Sequence, residues 1–353
     1  MREVPPLKRL IIPTLFVVVL FAVQSWRSQA RLPTWRLQGE VMGTSYTVQV
    51  IHPTRPDPEA LHAALEAVNQ RMSTYLKTSE LSALNAHAAP APFPLSPQLR
   101  LVLETAREVS AASGGAFDVT VGPLVNAWGF GPDGRVTPPT PERVEALRAQ
   151  VGYGHLTLTP EGALKALPAL YCDLSAIAKG YGVDEAARWL EAAGYTRYWV
   201  EVGGEVRARG ENPDGVDWRA GVERPAGEGR RAVERVIPLH HISIATSGDY
   251  RNRYIDAQGV ARSHTIDPRT GAPVTHALAS VSVLHPSNMH ADAWATALNV
   301  LGPDEGLKVA EAHNLAVLFL VREAGANPLD PNAPVKQVLT AAMRDYLKTV
   351  EGR

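Results

Sequence analysis

Between Arg197 and Tyr254 the chain runs through one strand-like segment after another with no helical pattern between them. "RYWVEVGGEVRARG" reads as a hairpin with Gly203 and Gly204 near its turn or bulge, and "WRAGVERP" and "RVIPLHHISIATSGDYRNRY" are further strands. Strands joined by short turns pair antiparallel, because parallel partners need a crossover of a dozen residues or more. Around this block the pattern is helical. Asp57 and Pro58 open a helix whose stripe is Leu61, Ala64, Leu65, Val68 and Met72. Ser96 and Pro97 open another, with Val102, Leu103, Ala106 and Val109 inward and Gly114 as its stop. Thr140 and Pro141 repeat the device. The expectation is an α+β fold, mainly antiparallel sheets flanked by helices.

Further strands are expected at Glu40–Ile51, bent at Gly43, at "LYCDLS", at "ALASVSVLHP" and at the apolar "LAVLFLVRE". "AIAKGYGVDEAARWLEAAGY" is a helix ending at Gly194. No internal repeat is evident. The loops at Gly131–Pro139, Asn212–Asp217, Pro225–Arg231 and Asn327–Pro334 read as surface excursions.

The first 30 residues stand apart. Arg2, Lys8 and Arg9 precede an apolar run from Leu10 to Val23, and Ser28-Gln29-Ala30 offers small residues for a peptidase. This is a secretory signal peptide, or an uncleaved membrane anchor. No cysteine follows the run, so a lipobox anchor is excluded. Residues 31–353 then form an exported domain, periplasmic or on the outer face of the cytoplasmic membrane. With 45% hydrophobic residues it can bury a core as one large domain or two subdomains. A formal net charge of -1 gives no field that would gather nucleic acid. Cys172 is the only cysteine, so it forms no intramolecular disulfide and reads as a small buried hydrophobe.

Four stretches carry polar residues where packing alone does not ask for them. In "HADAWATAL" (residues 290–298), Asp292 and Thr296 are four apart on an otherwise small or apolar helix, so their oxygens share a face. A carboxylate with a hydroxyl suits Mg²⁺ better than zinc. The alternative is an Asp in the first turn, favoured by the helix dipole, and a Thr bonded back to a carbonyl. In "CDLSAIAKGYG", Asp173 and Ser175 mark a helix start with Lys179 in its first turns, a natural anion cradle or an ordinary N-cap. "SGGAFDVTVGPLVNAWGFG" offers aromatics beside bare backbone, for a planar ring or as a C-cap leading into a core strand. "SHTIDPRTG" holds His264 and Asp267 before a turn. The Gly-x-Ser-x-Gly, HExxH, CxxC and dinucleotide fingerprints are absent, and neither His240-His241 nor His285 with His290 makes a zinc set.

Taken in order, "MGTSY", "MSTY", "SELSALN", "GGAFDVTVGPLVNAWGF", "DLSAIAKGYGVDEAA", "VEVGGEVRARG", "ATSGDYRNRY", "SHTIDPRTG" and "ADAWATAL" resemble the successive signatures of the ApbE-type FAD:protein FMN transferase family, from about Gly39 to Val321. The resemblance implies an ApbE-like, T-fold-like architecture. It also implies Mg²⁺-dependent cleavage of FAD, with FMN passing to a Thr or Ser hydroxyl of a target protein and AMP leaving. Acceptors would be flavin-carrying subunits of membrane redox complexes. Carried over by motif, Asp292, Thr296 and the Ala176 carbonyl would hold the metal, while Met42, Tyr75, Ala116, Phe117, Asp118, Lys179 and His264 would line the FAD site. Phe117 and Tyr75 offer apolar or stacking surface to the isoalloxazine or adenine ring, and His264 and Asp267 are candidates for the base. Alternatives are a Mg²⁺-dependent FAD pyrophosphatase and a periplasmic flavin-binding protein without chemistry.

Overall fold

The computed structural model describes residues 32–131, 138–225, 232–248, 253–256, 259–323, 325 and 333–352. The expected leader lies outside the described residues. So do Asp249–Asn252 of "TSGDYRNRY" and parts of the loops expected at Gly131–Pro139, Pro225–Arg231 and Asn327–Pro334.

The first elements among the described residues form a hairpin, β1 (Thr34–Val41) and β2 (Thr44–Ile51). The single bent strand expected over Glu40–Ile51 is therefore two strands. Met42 and Gly43 both take positive φ, 54° and 70°, which makes the two-residue turn that the twist of a hairpin favours. Helices α1 (Pro58–Met72), α2 (Glu80–Ala86), α3 (Pro97–Ala112), α4 (Gly122–Ala127) and α5 (Pro141–Arg148) follow. The expected caps hold: Asp57 accepts from Glu59 and Ala60, Ser96 from Leu99, and Thr140 from Arg143. A small hairpin, β3 (Leu156–Thr159) and β4 (Gly162–Lys165), leads to α6 (Ala178–Ala192).

The strand block comes next. It comprises the β5 (Tyr198–Val202) and β6 (Glu205–Arg209) hairpin, β7 (Trp218–Glu223), β8 (Val233–Leu239) and β9 (Ser243–Gly248). Two short hairpins follow, β10 (Arg253–Ile255) with β11 (Ala261–Ser263) and β12 (Ile266–Asp267) with β13 (Ala272–Pro273). Then come β14 (Leu278–His285), α7 (Asn288–Ala312), β15 (Ala316–Arg322), β16 (Val335–Leu339) and α8 (Ala341–Glu351).

One sheet of eight strands, in the order β1-β2-β5-β6-β9-β14-β15-β16, carries the molecule, and every neighbouring pair in it is antiparallel. This is the α+β, antiparallel architecture expected. Helices α1, α3, α6 and α7 cover one face. The β7–β8 ribbon and α8 cover the other, through Trp218, Val222, Ile237, Met343 and Leu347. Covered on both sides, β14 is buried along nearly its whole length. Helix α7 is likewise buried all round up to Leu301, and Gly302 (φ 75°) and Pro303 break it there. That explains why its sequence is apolar on every side rather than striped.

Two segments differ from expectation. Leu170–Leu174 forms no strand and pairs with none among the described residues. Its groups bond sideways, with Asn85 accepting from the Cys172 N–H and donating to its carbonyl, and the Val119 carbonyl accepting from the Asp173 N–H. Phe117–Val121 forms turns rather than a core strand, because Asp118 gathers the N–H groups of Thr120 and Tyr153.

Candidate active site

Helix α6 begins without a side-chain cap. Ile177 occupies the N-cap position and has nothing to offer the first-turn N–H groups. Asp173 spends one oxygen on the Ser175 amide and hydroxyl instead of capping the helix, contrary to its expected role. The missing acceptor comes from α7, where Asp292 Oδ2 accepts the Gly180 N–H at 3.0 Å. The two helices touch closely there. A Cβ on Gly180 would lie 2.8 Å from Asp292 Cβ and would collide with the Asn288 carbonyl.

The arrangement is reciprocal. Asp184, on α6, reaches the start of α7 and accepts from the amides of Asn288 (3.0 Å) and Met289 (3.1 Å) and from the Ser287 hydroxyl (2.7 Å). It also pairs with Arg207 at 2.8 Å. Each helix thus carries the carboxylate that satisfies the other's N-terminus. Asp292 itself sits past the first turn, since α7 begins at Asn288 with Ser287 as its cap. The dipole explanation for this acid therefore fails.

Lys179 stands where the two helices and the β5–β6 turn meet. Its ammonium pairs with Glu205 and lies 3.7 Å from Asp292 Oδ1. Burial opposes its charge, but the Asp292 and Glu205 carboxylates together raise its pKa above that of an ordinary lysine. Burial pushes the Glu205 pKa up, Lys179 pulls it down, and the Asp292 charge adds to the rise.

One turn beyond Asp292, Thr296 is half-buried, and its hydroxyl makes no hydrogen bond among the described residues. It is not bonded back to a carbonyl. The Ala176 carbonyl, which in a longer helix would take the Gly180 N–H, likewise accepts no backbone donor among the described residues. A carboxylate, a hydroxyl and a carbonyl are hard oxygen donors, the set that fits Mg²⁺. Among the described residues no three His, Cys, Asp or Glu side chains converge as a metal centre of another kind.

The other expected residues fall in two places. Met42, in its left-handed turn, packs on α6, where a Cβ on Gly182 would meet its sulfur at 3.2 Å. Tyr75 is 71% exposed and sits in a turn closed by Ser73. Tyr171 presses on Gly122, and its pKa is raised by burial first and then by Asp173, with Tyr75 adding a smaller part. Ala116 and Phe117 are each 1% exposed in the main core. The Phe117 ring expected to stack on a ligand is thus a buried support. Asp118 is buried too, its pKa raised by burial and lowered by bonds from Thr120 and Tyr153.

His264 is half-buried on the loop between β11 and β12, edge-on to Phe130 at 6.3 Å, and Phe130 in turn lies 5.2 Å from Tyr254. That loop is tied to α7 by Asn299, whose amide donates to Thr265 Oγ1 at 3.0 Å and to Ser247 Oγ at 3.1 Å. Asp292, Thr296 and Asn299 are spaced i, i+4, i+7, so one face of α7 joins the oxygen cluster to the His264 loop. Asp267 does not join them. Arg269 holds both of its oxygens, with Nε to Oδ1 and a terminal nitrogen to Oδ2 both at 3.0 Å.

The residue patterns did not single out Gly180, Asp184 and Glu205, although all three lie inside quoted motifs. Their importance depends on a contact 112 residues away for Gly180 and 26 residues away for Glu205.

Comparison with known proteins supplies the lineage. The ApbE family model matches residues 42–319. A FAD:protein FMN transferase of Vibrio cholerae is 46% identical over 292 residues, covering 81% of this chain and 87% of that one. One from Haemophilus influenzae is 42% identical over 328 residues, covering 90% and 94%. The solved flavin transferase ApbE from Vibrio cholerae superposes with a TM-score of 0.79 at 41% identity, covering 89% of this chain and 99% of that one. The apo flavinyl transferase ApbE of Pseudomonas stutzeri gives 0.79 at 37% identity, covering 90% and 98%. Fold, motif order and similarity over most of its length agree: the chain belongs to the ApbE family.

Proposed function

We propose that the protein is a FAD:protein FMN transferase, which cleaves the FAD diphosphate and joins FMN to a Thr or Ser hydroxyl of an acceptor protein, releasing AMP. The observation that carries this reading is the contact of α7 with the start of α6, where the Lys179 ammonium lies 3.7 Å from Asp292 Oδ1 and the Gly180 N–H reaches Oδ2 at 3.0 Å, with Thr296 one turn further along α7 and Ala176 just ahead of α6. It combines a cation for phosphate oxygens with hard oxygen donors for Mg²⁺.

Asp292, Thr296 and the Ala176 carbonyl would hold the ion. Bound Mg²⁺ supplies Lewis-acid stabilisation of the charge that builds on the diphosphate oxygens. The chain's own residues do the rest. The Lys179 ammonium binds the diphosphate, helped by the positive end of α6. Burial opposes its charge, but its two carboxylates raise its pKa and so favour the ammonium form. Asp292 keeps the two helix ends together while offering Oδ1 outward. Tyr75 and Tyr171 receive a planar ring, and Met42 closes the side against α6. His264 takes the proton of the acceptor hydroxyl, a role Asp267 cannot fill while Arg269 engages both of its oxygens.

Export is part of the proposal. The basic start, the apolar run Leu10–Val23 and Ser28-Gln29-Ala30 support placing the domain in the periplasm or on the outer face of the cytoplasmic membrane, with flavin-carrying subunits of membrane redox complexes as acceptors.

The test is incubation of the purified protein with FAD, Mg²⁺ and a candidate acceptor. AMP should appear in step with flavin on the acceptor. AMP without flavinylated protein would mean hydrolysis, and FAD left intact would mean binding without chemistry.

A further inference from the structure

The Lys179 ammonium stands between two buried carboxylates, and only one of them belongs to the oxygen set for the cation. The other, Glu205, opens β6 directly after the Gly203–Gly204 turn and is 3% exposed. Both of its oxygens are engaged, Oε1 by Lys179 and Oε2 by the Thr246 N–H of β9 at 3.2 Å. The lysine stem is held as well. A Cβ on Gly203 would come within 3.1 Å of Lys179 Cδ and 2.9 Å of Thr44 Cγ2, so the turn backbone presses on it. At 3.7 Å from Asp292 Oδ1 the ammonium is close enough to attract it, but beyond the normal range of an N–H···O bond.

A buried carboxylate is a costly way to fill space, and an apolar side chain would pack there more cheaply. What Glu205 adds is a second place for the ammonium. Without it, Asp292 is the nearest anion, and the ammonium would settle on the oxygen that a cation needs. We propose that Glu205 is a positioning residue that draws the Lys179 ammonium off Asp292, leaving Oδ1 open to the divalent cation and the ammonium aimed at the diphosphate. The proposal rests on the reading of Asp292 as a cation ligand. Glu205 acts through Lys179 alone, so its effect disappears when the lysine does.

The experiment is calorimetric titration of Mg²⁺ alone, with no flavin, into the full chain and its Glu205→Gln, Lys179→Met and double variants. Glu205→Gln should weaken Mg²⁺ binding about tenfold, an ordinary size for coupling between neighbouring sites. Lys179→Met should bind Mg²⁺ at least as tightly as the unaltered chain, and adding Glu205→Gln to it should change affinity by less than about twofold. Unchanged affinity in Glu205→Gln overturns the assignment. So does a tenfold loss that persists without Lys179, which would mean direct attraction between Glu205 and the ion. If Glu205→Gln fails to fold, Lys179→Met still decides, because weaker Mg²⁺ binding there contradicts any competition for Asp292. An unaltered chain that binds no Mg²⁺ overturns the cation reading of Asp292 and this inference with it.

Discussion

Asp292 Oδ2 accepts the Gly180 N–H at 3.0 Å, so one carboxylate caps α6 from α7 while its other oxygen faces Lys179. Structural and chemical roles are therefore divided between two atoms of one side chain. Substitutions can separate them.

Asp292→Asn retains a carbonyl that can accept the Gly180 N–H but loses the charge. Its melting temperature should stay close to that of the unaltered chain, while Mg²⁺-dependent AMP release falls about 100-fold, the equivalent of about 3 kcal/mol. Asp292→Ala should lose the same activity and also about 1 kcal/mol of capping, visible as a drop of roughly 1–2 °C. Full activity in Asp292→Asn would contradict the metal role.

Gly180→Ala separates helix propensity from packing. On an exposed helix the change would stabilise by about 1 kcal/mol. Here the new methyl meets Asp292 Cβ and the Asn288 carbonyl, so the helices must part. We expect a loss of about 1–3 kcal/mol by denaturant titration, with reduced AMP release. A stabilised variant would show that the helix contact is looser than described.

Asp184→Ala removes the acceptor for two amides, the Ser287 hydroxyl and Arg207. With those groups left in a buried setting, the cost should be about 3 kcal/mol. Mg²⁺ should still bind to the folded fraction, because no proposed ligand is lost.

His285 supplies the pH dependence. Its pKa is lowered by burial first and by the neighbouring His290 second, against the Ser287 backbone, which favours the charged ring. A depressed folded pKa means the unfolded chain binds the proton first. Stability therefore falls as pH drops through about 6.5, the ordinary histidine value. His285→Asn, which can keep the local bond to the backbone two residues on, should lose less melting temperature between pH 7.5 and pH 5.5 than the unaltered chain. Equal losses would exclude His285 as the source.

Much of this was legible in sequence because it is local. Ser/Thr/Asp-Pro pairs marked helix starts, as at Asp57-Pro58, Ser96-Pro97 and Thr140-Pro141. The Gly203–Gly204 turn and the strands beside it were readable for the same reason. Gly43 alone suggests a bend or a close backbone approach, because Met rarely takes a positive φ, and only the pairing of β1 with β2 reveals the Met42-Gly43 turn. "LYCDLS" has a strand's composition, but its partners are the Asn85 side chain and the Val119 carbonyl rather than a neighbouring strand. At the site, the i, i+4 spacing of Asp292 and Thr296 was visible. The Glu205–Lys179–Asp292 group and the mutual capping of α6 and α7 were not, because periodicity carries no record of which helix ends meet. Phe117 and Asp267 show the converse, since sequence gives residue type but not whether a ring is buried or a carboxylate already bonded.

The most direct test of the central claim is intact mass spectrometry of an acceptor protein coexpressed with this chain or with its Asp292→Asn variant. The account predicts an acceptor heavier by one FMN with the unaltered chain, removed when the acceptor Thr or Ser is replaced by Ala, and no added mass with Asp292→Asn. An acceptor flavinylated equally by both chains, or by neither while FAD is consumed, would contradict it.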